Sequence, residues 1–393
     1  MKRPGTVGLL TWPGSYAVDA LVASGLLPLG LAEMDGGPAP PPHYPLAPVR
    51  EGDAVLVVSG WLAGLGDRPS AGVEALRGLR RRFTRVIGLD QSDPFQLDFD
   101  EDTLAAMDAV LKVNGVYEER DLYNWWVGAP RGDGCWREKR DRREVAYSSD
   151  SLAKIRLSVP CFVGVDSRLR RRTRPLYGQP PLGRLARAAG DWLLERLVEG
   201  VPRRGTPRDT VHFAGSFSHV QRLAALRRLR GSTLRWRGGL THVPAKITGL
   251  HGFGLSVVAP SEHADLIRRL RSEGLLVAPR NRLRYTMEMM QCKAVLSVTG
   301  YGELCFRMAE AWATGRVLVC QDLSHVRTLY PLQAHHNVVY CRPDLADLLD
   351  ILDDVECNYH RYREIAENGL ADWRRWSAGA EDVIRQGFGP FLD

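Results

Sequence analysis

The segment Ala294-Val295-Leu296-Ser297-Val298-Thr299-Gly300-Tyr301-Gly302-Glu303, continued by Leu304-Cys305-Phe306-Arg307-Met308-Ala309-Glu310-Ala311-Trp312-Ala313-Thr314-Gly315, decides how the chain folds. It opens on a short apolar run without polar alternation, the pattern of a strand buried on both faces of a parallel sheet. Glycines then make a turn, an apolar helical stretch follows, and Gly315 stands where a helix stops. Glycine lets the backbone approach a ligand closely, and the helix start behind it offers unpaired N–H groups to a phosphate.

With the helix starting at the turn, Glu303, Arg307 and Glu310 fall on one narrow face at about 100° per residue. Leu304, Phe306, Met308, Ala309, Ala311 and Trp312 fill the rest. A helix apolar nearly all round is buried, so its charged stripe is expected to border a crevice. The stripe suits a nucleotide sugar: Glu310 accepting from ribose hydroxyls, Arg307 gripping a diphosphate, Glu303 accepting from sugar hydroxyls. The same spacing also fits the i,i+4 and i,i+3 ion pairs of a helix surface, and spacing leaves both open.

Outward from this unit the rhythm repeats. Short apolar runs at 7–12, 54–59, 85–89 and 109–113, then at 210–215, 294–299, 316–320 and 337–340, alternate with helical patterns. That is how parallel strands of an α/β fold read. A further strand is expected at 155–165, a loop in the proline-rich 37–48, and a linker at 174–181, where prolines withhold backbone donors. The chain has 393 residues, and single cores stop growing at about 250–300. The expected layout is an N-terminal Rossmann-like domain over 1–178, a linker helix within 179–205 (pattern at 182–198) and a second Rossmann-like domain over 206–358. C-terminal helices over 359–393 would be placed to cross back to the first domain.

Composition bounds the partners. With 44% hydrophobic and 25% charged residues the chain is globular rather than disordered. A net charge of +7 favours something anionic, such as a nucleic acid, a phosphorylated glycan or a membrane surface, without choosing among them. The seven cysteines are scattered and show no Cys-x-x-Cys pair, which fits a reducing cytoplasm. No apolar run reaches the roughly 18 residues that an integral membrane segment needs.

On the residues quoted above, 210–352 resembles the C-terminal donor-binding domain of GT-B glycosyltransferases, including exostosin-like and glycogen-synthase-like families. The match rests on the turn Gly300-Tyr301-Gly302-Glu303, on Arg307 and Glu310, and on Ala311-Trp312-Ala313-Thr314-Gly315-Arg316-Val317-Leu318-Val319. His212-Phe213-Ala214-Gly215-Ser216-Phe217-Ser218-His219 with Arg222 resembles the first strand, loop and helix of the same domain. The resemblance implies an α/β fold of two Rossmann-like domains facing each other across a cleft. It implies a nucleotide-diphosphate sugar as co-substrate, UDP-sugar first and GDP-sugar second, with no tightly bound cofactor and no metal. Glu310 would bind the donor ribose, while Gly215, Ser216, Arg222, Gly300, Tyr301 and Gly302 would line the diphosphate. Retaining families carry two glutamates with seven residues between them. Here six separate Glu303 from Glu310, and Gly302 occupies the expected place. Arg222 fits a solvated helix face equally well, with Arg227, Arg228 and Arg230 close behind it.

On the acceptor side, the run at 7–12 with Pro13-Gly14-Ser15-Tyr16 resembles the first strand and acceptor loop of GT-B enzymes. Asp90 and Asp93 follow a strand's C-terminal end, where ligands gather in open α/β sheets. In an inverting enzyme either is a candidate general base, although Asp93 before Pro94 also suits a turn. Asp98-Phe99-Asp100 has the spacing of a metal-holding Asp-x-Asp, but it precedes a helical pattern at 103–110 and reads better as a helix cap. Arg170 and Arg171, in a run with no acidic neighbour after Asp166, are candidate acceptor contacts, whereas the run at 137–143 is balanced by Glu138, Asp141 and Glu144. His335-His336 reads as loop. The acceptor expected is a hydroxylated base in DNA, or a cell-envelope or natural-product glycan. The alternatives are a sugar-nucleotide epimerase and a non-catalytic nucleic-acid or glycan binding protein.

Overall fold

Apolar runs without alternation become strands buried on both faces, and this sets the first half of the chain. The computed structural model describes residues 7–11, 18, 21–22, 29–33, 46–63, 65, 71–91, 97–113, 115–126, 141–142, 146–157, 207–248, 250, 255–379, 382 and 386. Strands β1 (Val7–Leu10), β2 (Leu29–Ala32), β3 (Pro48–Val49) and β4 (Gly52–Val58) come first, with helices α1 (Ser59–Ala63) and α2 (Ala71–Arg80) after them. Then follow β5 (Phe83–Asp90), α3 (Glu101–Ala105), β6 (Ala109–Lys112), β7 (Gly115–Tyr117), the two-residue strands β8 (Trp125–Trp126) and β9 (Asp141–Arg142), α4 (Ser149–Ala153) and β10 (Ile155–Leu157). Seven of these make one sheet, ordered β10-β6-β5-β4-β1-β2-β3 and parallel throughout. In β4, Val55 and Val57 face one core while Ala54, Leu56 and Val58 face another, so alternation is present but apolar on both sides.

The second half repeats the scheme with β11 (Asp209–Ser216), α5 (Val220–Arg230), β12 (Trp236–His242), the hairpin strands β13 (Lys246–Thr248) and β14 (Leu255–Val257), α6 (Pro260–Ser272) and α7 (Arg282–Met290). After these come β15 (Cys292–Ser297), α8 (Phe306–Thr314), β16 (Val317–Gln321), β17 (Val326–Thr328), β18 (Val339–Cys341), α9 (Leu348–Cys357) and α10 (Tyr359–Ala378). Its five-stranded sheet has the order β12-β11-β15-β16-β18, again parallel. Ala294 and Leu296 point into one core and Val295 into the other. Gly315 ends α8 in the left-handed region, at φ 62° and ψ 46°, which is the stop its position predicts.

Several expectations are corrected by packing. Residues 37–48 are not all loop, since Pro48 opens β3; it is tolerated there because β3 is an edge strand, where a missing N–H costs no ladder bond. The helix expected at 103–110 runs over Glu101–Ala105, because Ala109 is already recruited into β6. Asp100 caps it, accepting from the Thr103 N–H at 2.7 Å. Helix α10 packs on the second sheet through Ala378, its Trp373 buried beside Trp312 and Tyr330, and the rest of the expected C-terminal helices lies outside the described residues apart from 382 and 386. Gly14, Ser15, Tyr16, Asp93, Arg170, Arg171 and the helical pattern at 182–198 lie outside the described residues.

The two sheets meet at the C-terminal ends of their strands. β7, just past the end of β6, pairs antiparallel with β17, just past the end of β16, with Tyr117 opposite Val326. Val326 packs into the first domain's core, and Leu304 borders Gly115. Any ligand gathered at either set of strand ends therefore lies near the other domain. No helix among the described residues is long and apolar enough to cross a membrane.

Candidate functional site

In an open α/β sheet the crevice forms where strand order reverses, at the carboxyl ends of the two strands that flank the reversal. In the second sheet that point lies between β11 and β15, and five of the expected residues, Gly215, Ser216, Arg222, Gly300 and Arg307, meet there. Arg222, on α5, reaches across the gap: its Nε donates to the carbonyls of Thr299 at 3.0 Å and Val298 at 3.3 Å, just past β15. Its Nη1 donates to the Ser216 carbonyl at 3.0 Å and lies 3.3 Å from Ser216 Oγ, while Nη2 lies 3.2 Å from Cys305 Sγ. Arg222 is 6% exposed, so the solvated-face alternative is ruled out.

Arg307, one residue into α8, lies beside it. Its Nη2 donates to the Ala214 carbonyl at 2.7 Å, and its guanidinium stacks on Phe213, 4.6 Å from the ring centre. Nε and Nη1 are buried without an acceptor. A Cβ at Gly215 would collide with Arg307 Nη2 and lie 3.6 Å from Arg222 Nη1, and one at Gly300 would collide with Arg222 Nη2. The glycines thus make room first for two guanidiniums, where the sequence suggested room for ligand against bare backbone. Two cations flanking one glycine repel each other, and that arrangement is relieved by an anion.

The glutamates are arranged differently from the expectation. α8 begins at Phe306, so Glu303 precedes the helix and shares no face with Arg307 and Glu310. Neither ion pair that the spacing allows is formed. Glu303, 1% exposed, lies with Oε1 3.3 Å from His325 Nε2, and its Oε2 is buried without a partner. His325 in turn stacks on Tyr117 of the first domain, at 5.9 Å between ring centres, so Glu303 belongs to the interdomain seam. Glu310, half-buried, accepts from the Tyr285 hydroxyl at 2.7 Å. Burial, reinforced by the neighbouring Glu310 charge, raises the Tyr285 pKa and keeps that hydroxyl a donor. Tyr301 is 42% exposed and donates to the Lys246 carbonyl at 2.9 Å.

Across the seam the first sheet presents carboxylates at its own strand ends. Asp90 is fully buried and ion-paired with Lys112, Nζ to Oδ1 3.0 Å, and its Oδ2 accepts from the Asp98 N–H. An acceptor hydroxyl has no route to it, which corrects its assignment as a base. Asp98 is the exposed carboxylate of the group. It accepts from Ser59 Oγ at 2.8 Å, and its pKa is raised by partial burial and by the charge of Asp90. His336 of the histidine pair lies 3.2 Å from Asp372, and no cluster of metal-ligating side chains occurs among the described residues.

No protein-family model and no curated protein matches the chain. It is similar in structure to Anabaena Alr3699/HepE in complex with UDP-glucose, at TM-score 0.50 and 12% identity over 98% of this chain and 100% of that one. With the same protein in complex with UDP the TM-score is 0.52 at 11% identity, over 98% and 99% of the two chains. A DNA-modifying beta-glucosyltransferase solved with and without uridine diphosphoglucose aligns over 99% of both chains at 11% identity, but at TM-score 0.44. The whole-chain superposition joins what topology already gives, two Rossmann-like sheets with opposed strand ends. The fold is GT-B.

In the GT-B frame, Ser216, Arg222, Gly300 and Arg307 stand at the reversal point of the second domain, Glu310 one turn along α8, and Asp98 at the strand ends of the first. Sequence reading did not single out Tyr285, His325 or Lys112, and took Asp98 only as part of a helix cap. Only Asp98 carried a local signal, its Asp-x-Asp spacing, while the others are recruited from helices and strands remote along the chain. It also missed His212, buried on β11 with both ring nitrogens unpartnered and edge-on to Tyr285 at 5.1 Å. Burial and then the nearby Arg307 charge push its pKa down to about 4, so it adds no third cation at neutral pH.

Proposed function

We propose that the chain transfers a sugar from a nucleotide-diphosphate sugar to a hydroxyl acceptor. One observation carries this reading: two buried guanidiniums, Arg222 and Arg307, flank Gly215 at the β11–β15 reversal point. Arg307 Nε and Nη1 have no acceptor, so a phosphate oxygen reaching them displaces no existing bond, although the side chains covering them must move aside. As the sugar leaves, negative charge grows on the diphosphate, and fixed cations favour that state over the ground state. This supply of positive charge supports a transfer that needs no metal. UDP-sugar is favoured as donor because HepE holds UDP and UDP-glucose in the same fold, with GDP-sugar second. Glu310, steadied by Tyr285, is assigned to the ribose.

Asp98 is assigned as the base in an inverting transfer. Its carboxylate takes the acceptor's hydroxyl proton, and the oxygen attacks the anomeric carbon. The bond from that carbon to the phosphate oxygen breaks, and the diphosphate leaves with the electron pair onto Arg222 and Arg307. The charge of +7 supports an anionic acceptor, a hydroxylated base in DNA or a cell-envelope or natural-product glycan, with Gly14, Ser15, Tyr16, Arg170 and Arg171 as its contacts. Free thiols at the described cysteines support a cytoplasmic setting.

Thermal denaturation tests the reading. UDP-sugar raises the midpoint of the wild type by mass action, and Arg307→Ala removes the shift. If no nucleotide sugar raises it, the proposal fails. Incubation with donor alone leaves the sugar unchanged, whereas an isomerised sugar points to an epimerase.

A further inference from the structure

At the opposite, N-terminal edge of the second sheet lies a cavity of about 560 Å³. Its walls come from the start of β15 (Lys293), the residue before β16 (Arg316) and the junction of α9 and α10 (Glu356, His360, Arg363, Glu367). The strand ends beside which Arg222 and Arg307 lie face the other way, so this is a separate place on the molecule.

Charge in the cavity does not cancel. Glu356 is engaged by Lys293, Nζ to Oε1 2.8 Å, and by Thr210 Oγ1 at 2.5 Å. Glu367 is engaged by Arg363 at 2.8 Å. Arg316 is left without an acid: 6% exposed, it forms no salt bridge with a carboxylate among the described residues, its Nε and Nη1 make long bonds to the carbonyls of Thr314 and Cys292, at 3.3 and 3.4 Å, and its other side-chain partner is the neutral Tyr359 hydroxyl. Burial lowers its pKa, the sign of a guanidinium that lacks a compensating charge. The 20-residue α10 also starts at this wall, with no side-chain cap and no acid in its first turn, so its positive end adds to the field.

A buried cation whose neighbouring acids are already taken is stabilised by an anion with several oxygens. We propose that this cavity binds a phosphate group, with Arg316 as its buried anchor and Arg363 and His360 at the rim. The space exceeds what a bare phosphate fills, so a small phosphomonoester is the better fit.

The test titrates inorganic phosphate, and separately glycerol 3-phosphate, into the full chain by calorimetry at low salt, with UDP saturating. UDP occupies any diphosphate site at the other end, so failure here is distinct from failure of the transfer reading, which UDP binding reports on its own. Saturable binding is expected, weakened about tenfold by Arg363→Glu and lost in Arg316→Gln, as befits removal of charge-assisted contacts. Tighter binding of glycerol 3-phosphate identifies a phosphomonoester as the ligand, and tighter binding of inorganic phosphate the free ion. Arg363 is an exposed surface residue, so its variant decides the matter even if Arg316→Gln fails to fold. Absence of saturable binding by either probe, or binding unchanged in Arg363→Glu, overturns the proposal.

Discussion

At the scale of the residue, the partners that spacing suggests are not the ones the fold supplies. Glu303, Arg307 and Glu310 look like a set of helix-surface ion pairs, yet each finds a different neighbour: His325, the Ala214 carbonyl and the Tyr285 hydroxyl. Arg307 therefore keeps its charge uncompensated by its own helix, as the proposed phosphate contact requires. Among the carboxylates of the first domain, accessibility separates roles that sequence could not. Asp90 is locked to Lys112 and holds the Asp98 backbone, while Asp98 stays reachable with a raised pKa. Asp98→Asn is expected to abolish transfer while leaving UDP-induced stabilisation intact. In the wild type, the rate should fall on the acid side with an apparent pKa above the ordinary carboxylate range, measured as kcat/KM against pH. A wild-type profile flat down to the ordinary carboxylate pKa would remove Asp98 from the role.

At the scale of the element, glycines and arginines interlock where β11 and α5 meet the β15–α8 unit. Adding one carbon in Gly215→Ala drives a methyl into Arg307 Nη2, so the guanidinium must move. The expected result is a loss of UDP-sugar affinity of at least about tenfold at nearly unchanged melting temperature, because the displaced group is the end of a long side chain. Gly315→Ala tests the other end of α8. Its left-handed backbone costs an L-residue about 1–2 kcal/mol, so stability falls by that amount in urea unfolding while donor affinity is kept. If donor affinity instead falls in Gly315→Ala and holds in Gly215→Ala, the site lies elsewhere.

At the scale of the whole molecule, the seam between β7 and β17 ties the two sets of strand ends together, and buried histidines set how the fold responds to acid. His212 and His219 have pKa values lowered to about 4 and about 3, chiefly by burial, and next by Arg307 and Arg222 respectively. Unfolding returns each to near the ordinary 6.5, so the unfolded chain binds more protons in between. Their contribution is complete above about pH 6.5 and is lost as pH falls from there towards 4. For His212 alone this is on the order of 3 kcal/mol. Melting temperature is expected to drop across that window and the drop to shrink in His212→Phe. An unchanged slope would mean that other groups set the acid limit.

The sequence alone determined the α/β class, the parallel strands and the β15–α8 unit, because buried parallel strands and glycine-stopped helices are written in local runs of residues. It placed Arg222, Arg307 and Glu310 among the candidates, since a charge inside an apolar pattern is conspicuous. Only tertiary structure decided that Arg222 is buried, that Glu303 belongs to the seam, that Asp90 is sealed by Lys112, and that Arg316 faces a cavity. Those facts depend on which remote segments meet: Thr299 with Arg222, His325 with Glu303, Lys112 with Asp90. Burial and electrostatic compensation are set by such long-range neighbours, which a local pattern does not record.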